Sequence, residues 1–337
     1  MKMNFYNNKQ ILITGGTGSF GNAFCDHIIN NKYKVKRLVI YSRDEFKQSE
    51  MAKKFSPEKY PFIRFFIGDI RDKERLSRAM EGIDYVIHAA ALKHVSSGEY
   101  NPMEVIKTNV IGAQNLVDIC LDANVKNVIA LSTDKASSPI NLYGASKLCS
   151  DKIFLSANNI KGSRSIKFSL VRYGNVLGSR GSVVPIFIES LKNKEDFTIT
   201  HPDMTRFNLT LEEGIDFVDW CFVNNLGGEI FVPKLKSFKV TELAKSINPK
   251  AKLKIIGIRP GEKLHEELIS ETDSLNSAEG KNHYVILNNL NKEDFSRYIK
   301  VKKLKRVMAG FKYSSDNNPN FVNAKDLRKI LKFNNIL

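Results

Sequence analysis

Tyr143 and Lys147 stand four residues apart in "NLYGASK". On a helix that spacing puts a phenol and an ammonium on one face. A phenol has a reference pKa of about 10, so ionising it at pH 7 costs ~4 kcal/mol. A cation about 4 Å away contributes ~4 kcal/mol at an effective dielectric near 20. The pair is therefore suited to moving a proton to or from a substrate hydroxyl. Ten residues upstream lie Ser132 and Thr133, hydroxyls able to hold that substrate, followed by Asp134 and Lys135. Oxidising an alcohol does not require this second acid and base. Once a hydroxyl has become a ketone, the neighbouring carbon–hydrogen bond is acidic. Lys135 can remove that proton, and Asp134 can protonate a hydroxyl one carbon further, which leaves as water. The cluster reads as oxidation coupled to elimination.

Such side chains need a frame. "QILITGG", "RLVIYS", "FIRFFIGD", "DYVIHAAA", "NVIALST" and "IKFSLVRYGN" are short, Val/Ile-rich runs separated by helical stretches. They lack polar alternation, as expected of parallel strands buried on both faces. Asn101 and Pro102 read as the cap and first turn of one helix. The fold class is α/β, a Rossmann-type doubly wound sheet over residues 1–175. A smaller α+β substrate lobe follows over 176–337, with some chain crossing between the two. The polar stretch "SETDSLNSAEGKN" reads as a mobile loop.

"TGGTGSFG" follows the first strand and opens a helix. Gly15, Gly18 and Gly21, with Thr17, Ser19 and Phe20 between them, form a dinucleotide-binding turn. The second strand ends in Ser42 and Arg43. A guanidinium there pairs with a 2′-phosphate, and Lys47 adds charge, which favours NADP. Asp44 keeps NAD open. Asp69 and Ile70 follow the third strand, with Asp69 a candidate adenine contact. Ala89 and Ala91 follow the fourth, small enough for a cofactor to lie close. Lys93 points into the same cleft, and Tyr143 and Lys147 complete the cofactor wall.

The 337 residues are 42% hydrophobic and 26% charged, with a net charge of +16. The lysines are scattered, so the charge does not indicate nucleic acid. The start of the chain carries no signal-peptide core and no run spans a membrane, so a cytoplasmic location is expected. The four cysteines read as buried thiols, and the six histidines show no metal-binding spacing.

Several stretches together carry a resemblance: "TGGTGSFG", "YSRDEFKQSEMA", "HAAALKHV", "STDKA", "PINLYGASKLCSDK", "VRYGNVLGSRGSVVP", "MTRF", "GEIFVPK", "IRPGEKLHE" and "YSSDNN". The chain resembles the extended short-chain dehydrogenase/reductase family over nearly its whole length. Within that family it is most similar to the inverting UDP-N-acetylglucosamine 4,6-dehydratases of pseudaminic acid synthesis. The resemblance implies Thr133, Asp134, Lys135 and Tyr143 as the catalytic group, with Lys147 supporting Tyr143. It implies substrate contacts from Lys93, Asn175, Val176, Arg206, Arg259 and Glu262. It also implies a homo-oligomer, a dimer or dimer-based assembly up to a hexamer, built on helices near 102–124 and 143–159. Ser96 and Asn208 stand where a proline and a tryptophan are expected. Other readings of the same fold are a nucleotide-sugar 4-epimerase or reductase, a retaining dehydratase, and an NADP-binding sensor without catalysis.

Overall fold

The computed structural model describes residues 4–179, 181–287, 291–334 and 336–337. The first half alternates β1 Gln10–Thr14, α1 Ser19–Asn30, β2 Arg37–Ser42, α2 Glu45–Lys54, β3 Ile63–Ile67, α3 Lys73–Met80 and β4 Tyr85–His88. Then come α4 Val95–Tyr100 and α5 Pro102–Ile106, which passes through a π turn at Lys107–Ile111 into α6 Gly112–Asp122. β5 Asn127–Thr133, a tight helical turn at Asp134–Ala136, α7 Leu142–Ile160 and β6 Lys167–Tyr173 complete this half. The second half runs α8 Val183–Lys192, β7 Phe197–Ile199, β8 Thr205–Asn208, α9 Leu211–Asn224, β9 Ile230–Pro233, β10 Lys236–Lys239, α10 Val240–Ile247 and β11 Leu253–Ile255. It ends β12 Glu267–Ile269, α11 Glu271–Ser274, β13 Ser277–Glu279, β14 His283–Ile286, α12 Lys292–Val301, β15 Lys305–Arg306, β16 Tyr313–Ser314 and α13 Ala324–Phe333.

The six apolar runs of the first half are β1 to β6, and all are parallel. The central sheet is ordered β3-β2-β1-β4-β5-β6-β9-β14-β13-β15. The order reverses between β1 and β4, and the crevice at that switch point is where a doubly wound sheet binds its ligand. The chain crosses after residue 175. β9 adds in parallel to β6, and β14, β13 and β15 extend the sheet antiparallel. A second core, with Val184, Phe187, Phe197, Phe238, Leu243 and Leu327 in it, joins α8, β7, β10, α10 and α13.

The stretch from Ser270 is not a loop. Ser270 caps α11, and β13 follows at once. Its polarity has a partner inside: Arg172 on β6 is buried and donates to Asp273 at 2.9 Å. Arg172 also lies 3.6 Å from Asp151 on α7. Buried cations survive only when paired, so the polar segment is held in place by the charge it neutralises. Two smaller expectations also fail. Cys149 is exposed on α7, whereas Cys25, Cys120 and Cys221 are buried. Asn101 makes no side-chain cap for α5; its amide turns back to the carbonyl of Ser97. The helices expected at an oligomer interface present Met103 and Ile111 outward, with Glu104 and Lys107 beside them. Among the described residues no helix is long and apolar enough to cross a membrane.

The Arg172 cluster sets a stability test. Arg172→Met keeps most of the volume and leaves Asp151 and Asp273 without their cation. We expect a loss of about 3–5 kcal/mol in urea unfolding. A change under about 1 kcal/mol would show that α11 is held by other contacts.

Candidate active site

The crevice at the switch point is lined by Gly15, Ser42, Arg43, Asp69, Ile70 and Ala91. Six residues singled out from distant motifs therefore meet at one cleft. Gly15 holds a φ of +66°, and a Cβ there would sit 2.8 Å from the backbone of Ala90. The turn can thus lie flat against the end of β4. Gly18 is the N-cap of α1, and no side chain caps the first turn. Amides of that turn remain available to a pyrophosphate, the condition for a dinucleotide at a helix N-terminus. The residues present fit a nicotinamide dinucleotide on these grounds.

The remaining cofactor candidates fall into two groups. Thr17 is buried and its hydroxyl lies 2.8 Å from that of Ser42, fixing the end of β2. Phe20 stacks on Phe24 and Gly21 is buried behind the turn. Ala89 donates its amide to Thr14. Lys47 pairs with Asp44 at 2.7 Å on α2. Asp69 is held by Arg71 through contacts of 2.7 to 3.0 Å. Burial works against its charge, but Arg71 and then Arg43 keep the carboxyl below its usual range. Arg43 is 52% exposed and only 3.7 Å from Asp69, so it can turn toward a ligand. The sequence motifs gave no sign of Thr108, which also lines the cleft. It sits on the π turn, and its buried hydroxyl has no partner among the described residues. Next to it, Asn109 both donates to and accepts from the backbone of Leu92, pinning the loop after β4.

The chemical cluster forms where β5 ends. Thr133 donates to Asp134 Oδ1 at 2.7 Å, and its hydroxyl favours the ionised Tyr143 phenol. Lys135 Nζ donates to Asp134 Oδ1 at 3.1 Å and to Glu266 Oε1 at 3.0 Å. Asp134 and Glu266 are buried, and the outer oxygen of each lacks a partner among the described residues. Burial and then the Glu266 charge push the Asp134 carboxyl up, with Lys135 and the Thr133 hydroxyl opposing. Burial alone would lower Lys135, but Asp134 and Glu266 override it and raise the ammonium above its ordinary value. Glu266 is pushed up by burial and pulled further down by Lys135 and Arg206, leaving it anionic. Burial raises the Tyr143 phenol, with Lys135 and the Thr133 hydroxyl opposing it. Lys147 is buried four residues further on. Burial lowers it, and Asp151 one turn beyond opposes that.

Close packing holds these groups at fixed spacing. Gly144 lies so near the Lys135 carbonyl that a Cβ would approach it to 2.3 Å. Asn141 caps α7 through the amide of Gly144 and donates to the carbonyl of Gly261. Lys263 reaches the carbonyl of Ser137, and Ser137 and Ser138 both donate to Glu267. The 261–267 segment is thereby strapped across the loop that carries Asp134 and Lys135.

The expected substrate residues surround this strap. Asn175 follows β6 with a buried Oδ1 that has no partner among the described residues, and Val176 bridges to Leu209. Asn208, on β8, likewise has an unpartnered buried oxygen. Glu262 accepts from the Arg259 amide at 3.3 Å, and Arg259 itself is exposed. Arg206 is a strut: its guanidinium donates to the carbonyls of Thr205, Lys263 and Leu264, and its Nε lies 3.4 Å from Glu266. Lys93 lies near enough to Lys135 for the two cations to repel; burial first and then that repulsion lower it. Away from the cleft, His27, Asp216 and Asp219 bring ligand atoms within 4.8 Å of one another. Tyr6 donates to Asp219 at 2.6 Å and His27 lies 2.8 Å from it, a network joining α1 to α9.

Comparison with known proteins places this geometry. The model of the polysaccharide biosynthesis protein family matches residues 11–288. A UDP-N-acetylglucosamine 4,6-dehydratase (inverting) from Campylobacter jejuni is 52% identical over 97% of this chain and 98% of its own length. A UDP-glucose 4-epimerase from Rickettsia bellii is 39% identical over 96% of this chain and 95% of its own. The X-ray structure of Pen from Bacillus thuringiensis superposes with a TM-score of 0.87 at 36% identity, covering 98% of this chain and 99% of that one. The chain belongs to the polysaccharide biosynthesis protein family, on the extended short-chain dehydrogenase/reductase fold.

Proposed function

We propose that this chain is a hydro-lyase that removes water across carbons 5 and 6 of UDP-N-acetylglucosamine, with inversion at carbon 5. The product is UDP-2-acetamido-2,6-dideoxy-beta-L-arabino-hex-4-ulose, the first intermediate toward pseudaminic acid. The observation that supports this most is the Asp134–Lys135 pair, its carboxyl buried, beside Tyr143. Bound NADP would supply a reversible hydride acceptor, so that turnover consumes no oxidant. Gly15, Gly18, Ser42, Arg43, Ile70 and Ala91 would hold it, with Arg43 facing the 2′-phosphate.

Tyr143 takes the proton of the sugar hydroxyl at carbon 4, and Thr133 orients both phenol and hydroxyl. Lys147 adds positive charge behind the phenol. Lys135 removes the proton at carbon 5. Asp134 gives its proton to the departing hydroxyl of carbon 6. Its raised pKa serves that role: the acid is armed below that pKa and disarmed as pH climbs through it. Lys93, Asn175 and Val176 line the sugar side; Arg259 meets the diphosphate and Glu262 a ribose hydroxyl. Arg206 supports that contact from behind. The enzyme works in the cytoplasm as a homo-oligomer. The epimerase name of the Rickettsia relative offers a second reading, but epimerisation has no use for a second acid and base.

Two experiments test the assignment. Arg43→Asp should turn attraction for the 2′-phosphate into repulsion and move preference from NADP toward NAD. Cofactor affinities of both proteins read this, and an unchanged ratio removes Arg43 from the site. Lys135→Ala and Asp134→Asn should each keep NADP binding and lose dehydration by roughly 10²–10⁴-fold. Proton NMR of UDP-N-acetylglucosamine turnover in heavy water follows it, with wild type placing deuterium at carbon 5. Wild-type rates in both variants would refute the reading.

A further inference from the structure

Lys135 presents a chemical difficulty. To take a proton from carbon it must be a neutral amine, yet it is half-buried between two buried carboxyl groups that favour its ammonium form. Once substrate covers the quarter of Lys135 that is exposed, release of a proton to solvent is slow, and before that it grows rarer as pH falls. One neighbour can solve this. Glu266 Oε1 accepts directly from Lys135 Nζ at 3.0 Å, and Glu266 Oε2 is buried without a partner among the described residues.

Resting on the dehydratase reading above, we propose that Glu266 stores the proton that Lys135 must give up, and then returns it through Lys135 to re-arm Asp134. In the first step an Nζ–H bond breaks and an Oε–H bond forms on Glu266. An ion pair becomes an amine and a carboxylic acid, and nothing enters or leaves. When water-excluding substrate fills the site, low dielectric favours this neutral pair over separated charges. In the elimination the carbon 5 proton passes to Lys135. The carbon–hydrogen electrons form the new double bond, the carbon 6–oxygen bond breaks, and Asp134 protonates the departing hydroxyl. The cluster is now Lys135 ammonium, neutral Glu266 and anionic Asp134. Lys135 touches both carboxyls, at 3.0 and 3.1 Å. It hands a proton to Asp134 and takes one from Glu266, which restores the starting state.

The surroundings suit the task. Arg206 Nε faces Glu266 from β8 at 3.4 Å, and Lys263 adds positive charge from the strap. These cations keep Glu266 anionic at rest, so it is an empty acceptor. Tyr143 on α7 and Lys93 in the loop after β4 feel the Lys135 charge, Glu262 lies 3.7 Å from Arg206, and Glu267 acts on Lys263. Glu266 acts through Lys135 and is a positioning residue for its proton. Sequence spacing gives no sign of the role, because 131 residues separate the two.

The pH dependence of single-turnover dehydration decides it. With an internal acceptor, the wild-type rate is flat from about pH 6 to about pH 7.5, since no proton leaves the site. Glu266→Gln keeps the hydrogen bond to Lys135 but cannot take its proton. It should bind NADP as wild type does, lose roughly 10²-fold at pH 7, and recover as pH rises. Glu266→Asp, which retains an acceptor, should be slower than wild type with the flat profile restored. If Glu266 is only a counter-ion, the opposite is seen: the wild-type rate climbs about tenfold per pH unit, and Glu266→Gln is as fast or faster because Lys135 loses its proton more readily. Either result overturns the proposal. Should Glu266→Gln not fold, the shape of the wild-type profile alone separates the two cases. A wild type that fails to dehydrate UDP-N-acetylglucosamine at any pH removes the functional reading and this one with it. A wild type that dehydrates with a steep profile removes this one alone.

Discussion

An ammonium held, partly exposed, between two buried carboxyl groups is the constraint on which this structure turns. Withdrawing most of Lys135 from water is unfavourable, and close, well-oriented carboxyl oxygens offset the cost. Asp134 stands next to it in the chain, whereas Glu266 has to be brought from the far lobe. Much of the fold serves that delivery. β8 supplies Arg206 to hold the segment by its carbonyls, and Asn141, Ser137 and Ser138 tie it down from the α7 side. The far lobe and the loop after β5 are joined by this one ion cluster.

A second buried cluster repeats the arrangement one layer deeper. Ser132 donates to Asp151 at 2.6 Å, Asp151 faces Arg172, and Arg172 reaches Asp273. Lys147 feels Asp151 as its opposing charge. The helix bearing Tyr143 and Lys147 is therefore fixed at one end by its Asn141 cap and further along by Arg172 from β6 and the Ser132 hydroxyl from β5. A rigid phenol position follows from packing and charge together, which is what proton transfer over a short distance requires.

The parts of this architecture that sequence could show are those with a local cause. β1 to β6 are apolar on both faces, so they stand out without a partner being known. The glycine turn, the ends of β2 and β3 and the Tyr143–Lys147 spacing are legible because each is set within a few residues. What escaped had distant causes. Residues 270–282 looked loop-like because their polar groups answer Arg172, a hundred residues earlier. Glu266 looked like one more acid in a charged run. Lys47 is drawn to Asp44 within its own helix, and Arg206 spends its donors on backbone carbonyls. Thr108 faces the cleft because a π turn shifts the helical phase, a change that no period of 3.6 reveals.

The ordering of the sheet has a consequence for how the chain comes to be folded. β6 gains its outer neighbour from β9, more than fifty residues later, and β9 in turn waits for β14. During synthesis the completed first half presents an open hydrogen-bonding edge until those segments emerge. The small lobe, built from α8, β7, α10 and β11, is completed later still, when α13 closes it. Cutting the gene at residue 175 would not release an independent nucleotide-binding module. It would leave a sheet with an unpaired rim, ready to join the rim of another copy.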